Sequence, residues 1–309
     1  MVIALCAASR TSHAEEPSKV LAKVNGVPIT FRAVEAEIDT IIAQTLYHRD
    51  VTPEKRETLK KEALERLIVK ELEYEEAIKQ GIKAGREEIQ ERVEEIKKKV
   101  PSEKEFRAIL KKNNLTMKKY EELVGKELII AKIYNAEVEN EIRIGDDDMK
   151  TYYENNMGMY REPEKIRLRH IVIMFDPAKG EADKEKARVK AEELLKRVKS
   201  GEDFAALASE FSEDSYKARG GELGYLSRGM MEPEMEKAAF SLQVGEIMGP
   251  VETEYGFYII KIEDKQPERQ LAFDEVKERV KKEVERKKRE ERKAEWIDSL
   301  KAKAKIEYY

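Results

Sequence analysis

The spacing of apolar positions changes along this chain, and each change marks a different kind of element. Val20, Ala22 and Val24 alternate at strand spacing. Asn25-Gly26 follows, the pair best suited to the two positive-φ positions of a two-residue hairpin. Pro28 cannot donate to a ladder, so the return arm is an edge strand or a short stub. Helical spacing then takes over. Thr52-Pro53 reads as a cap followed by proline at the first helical position. Leu64, Leu67, Ile68 and Leu72 form one stripe, ended by Gly81. Ile89, Val93, Ile96 and Val100 form a second, stopped by Pro101. Tyr120, Leu123, Val124, Leu128, Ala131 and Tyr134 form a third, and Asp146 caps a short helix through Tyr152 and Tyr153. The stripes are narrow and the other faces are charged, so these helices must bury one face against each other.

The spacing changes again at Pro163. Residues 166–175 predict a strand with Ile166, Leu168, His170, Val172 and Met174 on one face. Ala187, Ala191, Leu194, Leu195 and Val198 mark a helix, and Asp203 caps another that carries Phe204, Leu207, Ala208 and Phe211. A glycine-dense strand region, a short helix opened by Pro233 and a closing strand pair or bent strand over 251–262 complete the order βα, α, β, α, ββ. Beyond Pro267 the helical stripe resumes with Phe273, Val276, Val280, Val284, Trp296, Ile297 and Leu300, before a short strand at Ile306 and Tyr308. No tandem repeat is present. The middle unit therefore reads as an insertion between helical segments that belong together. The last helix is expected to pack on the N-terminal helices. The strand at Ile306 is expected to pair with the one at Val20, since neither edge has a local partner.

Composition supports a helix-rich chain of more than one domain: 309 residues, 40% charged, 40% hydrophobic and only 7% aromatic. Sixty basic and 64 acidic residues interleave to a net charge of −4. The densest basic stretch, residues 281–293, is broken by Glu283, Glu285, Glu290 and Glu291, which suits a solvated helix face. A nucleic-acid partner is not expected, because such binders carry a basic stripe with excess positive charge. Three scattered histidines and one cysteine give no metal cluster. Residues 220–229 lack the GK[ST] or strand–GxGxxG–helix context of a phosphate loop, so no cofactor is expected. No apolar run after the first few residues is long enough to span a bilayer. Residues 1–9 are almost all apolar or small, and Ser12-His13-Ala14 gives a small-x-small pattern before Glu15. With no basic n-region, residues 1–14 read as a truncated export signal. Leu5 is too large for a good lipobox before Cys6.

The middle unit contains RLRHIVI at 167–173, GEDFAALASEFSED at 201–214, GGELGYLSRGMMEPEMEKAAFSLQVGEI at 220–247 and GPVETEYGFYIIKIED at 249–264. In this order and spacing they resemble the parvulin family of peptidyl-prolyl cis/trans isomerases. The flanks, with VNGVPIT near the start and a helix after the middle unit, are similar to the SurA-type and PrsA-type exported foldases. The resemblance implies an α+β fold: a helical chaperone domain of N-terminal helices plus the C-terminal helix, with an inserted parvulin domain built on a small antiparallel sheet. The boundaries it suggests are 15–162 for the helical N-terminal domain, 163–265 for the isomerase, and 266–309 for the returning helix and strand.

The resemblance also implies site roles. His170, Asp214 and Thr253 match the polar cluster at the substrate carbonyl, and Leu223, Met231 and Met235 match the proline pocket, with Phe240 in the nearby wall. Met235 stands where many parvulins have Phe. Tyr258 stands where many have a second histidine, and its phenol is able to hydrogen-bond His170. The implied partners are unfolded or partly folded polypeptides with X-Pro bonds, met outside the cytosol. Two other readings stay open here: a holdase whose parvulin unit is weakly active, and a cytosolic chaperone-isomerase.

Overall fold

The computed structural model describes residues 18–45 and 52–309. The expected export signal, Cys6, His13 and His48 lie outside the described residues. The described chain divides into two compact units, one reaching to Gly145 and including Lys281–Tyr309, the other comprising Asp146–Val280.

The chain opens with a hairpin of β1 (Val20–Val24) and β2 (Val27–Thr30). Its turn is made by Asn25 and Gly26 at φ 47° and 89°, the two positive values such a turn needs. Helices α1 (Phe31–Thr45), α2 (Pro53–Lys79), α3 (Arg86–Lys97), α4 (Glu103–Lys112) and α5 (Met117–Glu137) follow. Thr52 caps α2 by accepting from the Lys55 N–H. The second unit carries α6 (Asp146–Asn155), β3 (Arg161–Glu162), β4 (Lys165–Met174), α7 (Glu181–Lys199), α8 (Phe204–Phe211), β5 (Glu222–Ser227), α9 (Pro233–Ser241), β6 (Ile247–Glu252), β7 (Gly256–Gln266) and β8 (Arg269–Gln270). Helix α10 (Phe273–Lys303) and strand β9 (Ile306–Tyr308) close the chain.

In the first unit β9 pairs antiparallel with β1, Ala22 opposite Tyr308 and Val24 opposite Ile306, as their apolar edges led one to expect. Trp296 and Leu300 of α10 enter one core with Val34 and Ile38 of α1, Ile68 and Leu72 of α2, and Ile133 of α5. A smaller core joins Val93, Ile96, Phe106, Leu110, Tyr120 and Val124 of α3, α4 and α5. Two carboxyls are buried here. Glu37 meets Lys70 at 2.8 Å. Burial pushes Glu73 up to about 7, against the opposing charges of Lys293 and Lys70.

The second unit is built on a four-stranded antiparallel sheet in the order β5-β4-β7-β6. Strand β4 is buried on both faces. Ile171 and Ile173 pack with Ala187, Ala191 and Leu194 of α7 and with Phe204 and Leu207 of α8. Ile166, Leu168 and Val172 pack with Met235, Ala239 and Phe240 of α9. The apolar face expected to run to Met174 stops at Val172, since Met174 is 44% exposed at the strand's end.

Candidate active site

His170 lies in the middle of β4 and is only 4% exposed. Its Nε2 is 2.6 Å from Oδ2 of Asp214, just beyond α8. A carboxylate only accepts, so Nε2 carries a proton toward Asp214, and in the neutral ring Nδ1 is then the bare acceptor. Nδ1 is buried without a hydrogen-bond partner among the described residues. Tyr216 and Tyr258 meet the imidazole edge-on, with ring centroids 5.6 and 5.3 Å away. Burial lowers the His170 pKa, and the hydrogen bond and charge of Asp214 oppose that shift.

The backbone around His170 is held by the loop before β5. The His170 N–H donates to Gly221 O at 2.9 Å. Gly221 has φ +74°, and a Cβ there would sit 2.1 Å from the His170 carbonyl oxygen, so only glycine allows this approach. Arg169 clasps the same loop, donating to the carbonyls of Arg219 and Gly220 at 3.0 Å and to Glu222 at 2.8 Å.

Thr253 is buried in the β6–β7 turn, where its hydroxyl oxygen accepts from the Tyr255 N–H at 3.1 Å. Tyr258 is buried on β7. Its hydroxyl lies beside Glu232 and Thr253, and it makes no hydrogen bond to His170, contrary to the bond its chemistry permitted. Burial, then the negative charges of Glu232 and Asp214, push its pKa up to about 12.

Next to this polar group, Leu223, Met231, Met235 and Phe240 fall in one apolar cluster with Leu168, Val172, Val251 and Tyr258. Met235 and Phe240 are buried, while Leu223 and Met231 are half-buried at the edge of the cluster. The Arg228 guanidinium covers the Phe240 ring, 4.1 Å from its centroid. All eight residues singled out in the sequence thus lie around β4 and its neighbours. Sequence reasoning missed Ser212, Tyr216, Gly221 and Glu232. Only Gly221 had a signal of its own, as the second glycine of a Gly-Gly pair.

Comparison with known proteins places both halves of the chain. A PPIC-type PPIASE domain matches residues 154–266, and a SurA-like N-terminal domain matches residues 1–134. A foldase protein PrsA of Caldanaerobacter subterraneus is 33% identical over 84% of this chain and 76% of its own length. A foldase protein PrsA of Clostridium botulinum is 30% identical over 97% of this chain and 90% of its own. In fold, a SurA-like chaperone structure from Campylobacter jejuni aligns over 94% of this chain and 100% of its own, with 24% identity and a TM-score of 0.50. Among the described residues, no helix is long and apolar enough to cross a membrane. The chain therefore belongs to the PrsA foldase family: it is a peptidyl-prolyl cis/trans isomerase and folding chaperone that joins a parvulin domain to a SurA-like helical domain.

Proposed function

We propose that His170, Asp214, Thr253 and Tyr258 form the polar half of the isomerase site, and that Leu223, Met231, Met235 and Phe240 hold the proline ring. The observation that carries this reading is the 2.6 Å His170–Asp214 pair beside an apolar cluster with half-buried side chains at its edge. Rotation about an X-Pro bond crosses a barrier of roughly 20 kcal/mol because it breaks amide resonance. No bond is made or cut. At the top of the barrier the nitrogen has lost conjugation and the carbonyl is less dipolar. A site accelerates the rotation by anchoring the ring in apolar contact and meeting the carbonyl with a polar group that suits the twisted state better than either planar one.

The helical unit holds unfolded or partly folded clients, and the sheet unit, which contains residues 163–265, isomerises their X-Pro bonds. Nucleic acid is not among the partners, given the interleaved charge. The protein acts in the cell envelope or periplasm after export, with residues 1–14 as a signal. Kinship with foldases over most of the chain's length favours an active isomerase over a pure holdase.

The test is isomerisation of a short X-Pro peptide by the full chain. Asp214→Ala should keep its circular dichroism and lower kcat by about tenfold or more. Met231→Ala should lower kcat/KM through loss of apolar contact worth on the order of 2 kcal/mol. If both folded variants match an active wild type, the site is misassigned.

A further inference from the structure

We infer that Ser212 is the positioning residue for Asp214, an inference that rests on reading His170 and Asp214 as the polar half of the site. Ser212 follows α8 and is 1% exposed. Its backbone N–H closes the helix by donating to Ala208 O at 3.0 Å. Its side chain does something else. The hydroxyl oxygen accepts from the Val172 N–H at 3.1 Å, and the hydroxyl donates to Asp214 Oδ1 at 2.9 Å. It makes no bond to a carbonyl of α8, so helix capping does not account for it.

The proton's direction follows from its neighbours. A hydroxyl has one donor hydrogen, and Val172 N–H already occupies an acceptor site on the oxygen. The carboxylate of Asp214 only accepts, so the serine proton points to Oδ1. With Oδ1 held, Oδ2 faces His170 Nε2. Each oxygen of the carboxylate has one donor, which fixes the rotation of the group. Val172 lies two residues beyond His170 on β4. Ser212 therefore ties the carboxylate to the same strand that carries the imidazole. Glu213 strengthens the tie: its N–H donates to Val172 O at 3.0 Å, and its carboxylate accepts from the Met174 N–H at 2.8 Å.

The experiment is steady-state isomerisation of an X-Pro peptide by the full chain, with Ser212→Ala made in wild type and in Asp214→Ala. Removing the hydroxyl should lower kcat about tenfold, the scale of one hydrogen bond to a charged group, and leave KM within about twofold. In the Asp214→Ala background the same change should have no further effect on kcat, because the carboxylate it positions is gone. A purely structural serine would lower kcat equally in both backgrounds, and that result overturns the inference. So does a wild-type kcat for Ser212→Ala when Asp214→Ala is impaired. Should Ser212→Ala fail to fold, Ser212→Cys, of the same heavy-atom count but a weaker donor, carries the same comparison. If Asp214→Ala is itself as active as wild type, the site reading and this inference fall together.

Discussion

Tyr258 presents its ring edge-on to His170, centroids 5.3 Å apart, and turns its hydroxyl to Glu232 and Thr253. The ring therefore packs against the imidazole, and its polar end faces Glu232 and Thr253. Its pKa is pushed from 10 up to about 12, so the unfolded chain loses this proton first. The tyrosine's contribution to stability is complete below pH 10 and is lost as pH rises toward about 12. Tyr258→Phe should remove that loss. The gap in Tm between wild type and variant should shift in the variant's favour above pH 10, and a gap independent of pH would contradict the assignment.

His170 behaves in the opposite sense. Burial lowers its pKa below the ordinary 6.5, so on acidification the unfolded chain takes up the proton before the folded one does. Stability is intact above pH 6.5 and declines as pH falls through the window below it. A His170→Asn variant should show a shallower decline of Tm in this window than wild type. Equal slopes would mean that the ring is not held neutral by burial.

The two methionines of the apolar cluster should separate stability from activity. Met235 is buried, so Met235→Ala leaves a cavity and should destabilise the sheet unit by about 2–5 kcal/mol. Met231 is only half-buried, so Met231→Ala should cost little stability while lowering kcat/KM. Hydrogen exchange of β4 and β7 reads the first effect and peptide isomerisation the second. Equal destabilisation by both would place Met231 in the core and not at the pocket.

Trp296 is the chain's one tryptophan, and it is buried with α1 and α2 residues. Trp296→Ala should destabilise the helical unit by about 3–5 kcal/mol. The loss should appear as faster amide exchange in β1 and α2. Unchanged exchange there would show that α10 contributes little to this core.

Glu73 offers a pH-dependent gain. With its carboxyl raised from 4.5 to about 7, the folded chain keeps a proton that the unfolded chain gives up, and stability falls as pH rises through that interval. Glu73→Gln should be more stable than wild type at pH 8 by on the order of 2 kcal/mol, with the gain shrinking to nothing near pH 4.5. Urea unfolding at the two pH values measures it. A gain equal at both would mean that the carboxyl is not protonated in the fold.

Much of this was legible in consecutive residues. Asn25-Gly26 made the hairpin because positive φ is a local preference of those residues, and Thr52 and Asp203 capped α2 and α8 because a cap needs only the next three positions. The order of strands and helices around β4 followed from the apolar pattern, and the proximity of His170, Asp214 and the apolar cluster of Leu223, Met231, Met235 and Phe240 followed from the family resemblance. Helix α4 escaped notice because ten residues with only Phe106 and Leu110 buried carry too short a stripe to show a period. Ile171 and Ile173 broke the alternation of β4, and their burial depended on α7 and α8 covering the second face.

What the tertiary structure decided was the choice of partner. The sequence determined that a serine, an aspartate, a histidine and a tyrosine stood at 212, 214, 170 and 258. It did not determine that Ser212 would bridge Val172 and Asp214, or that Tyr258 would turn from His170 toward Glu232. Periodicity and turn preference act between neighbours in the chain. A buried hydroxyl bonds whichever group lies about 3 Å away, and that distance is set by how β4, β7 and the segment after α8 pack together.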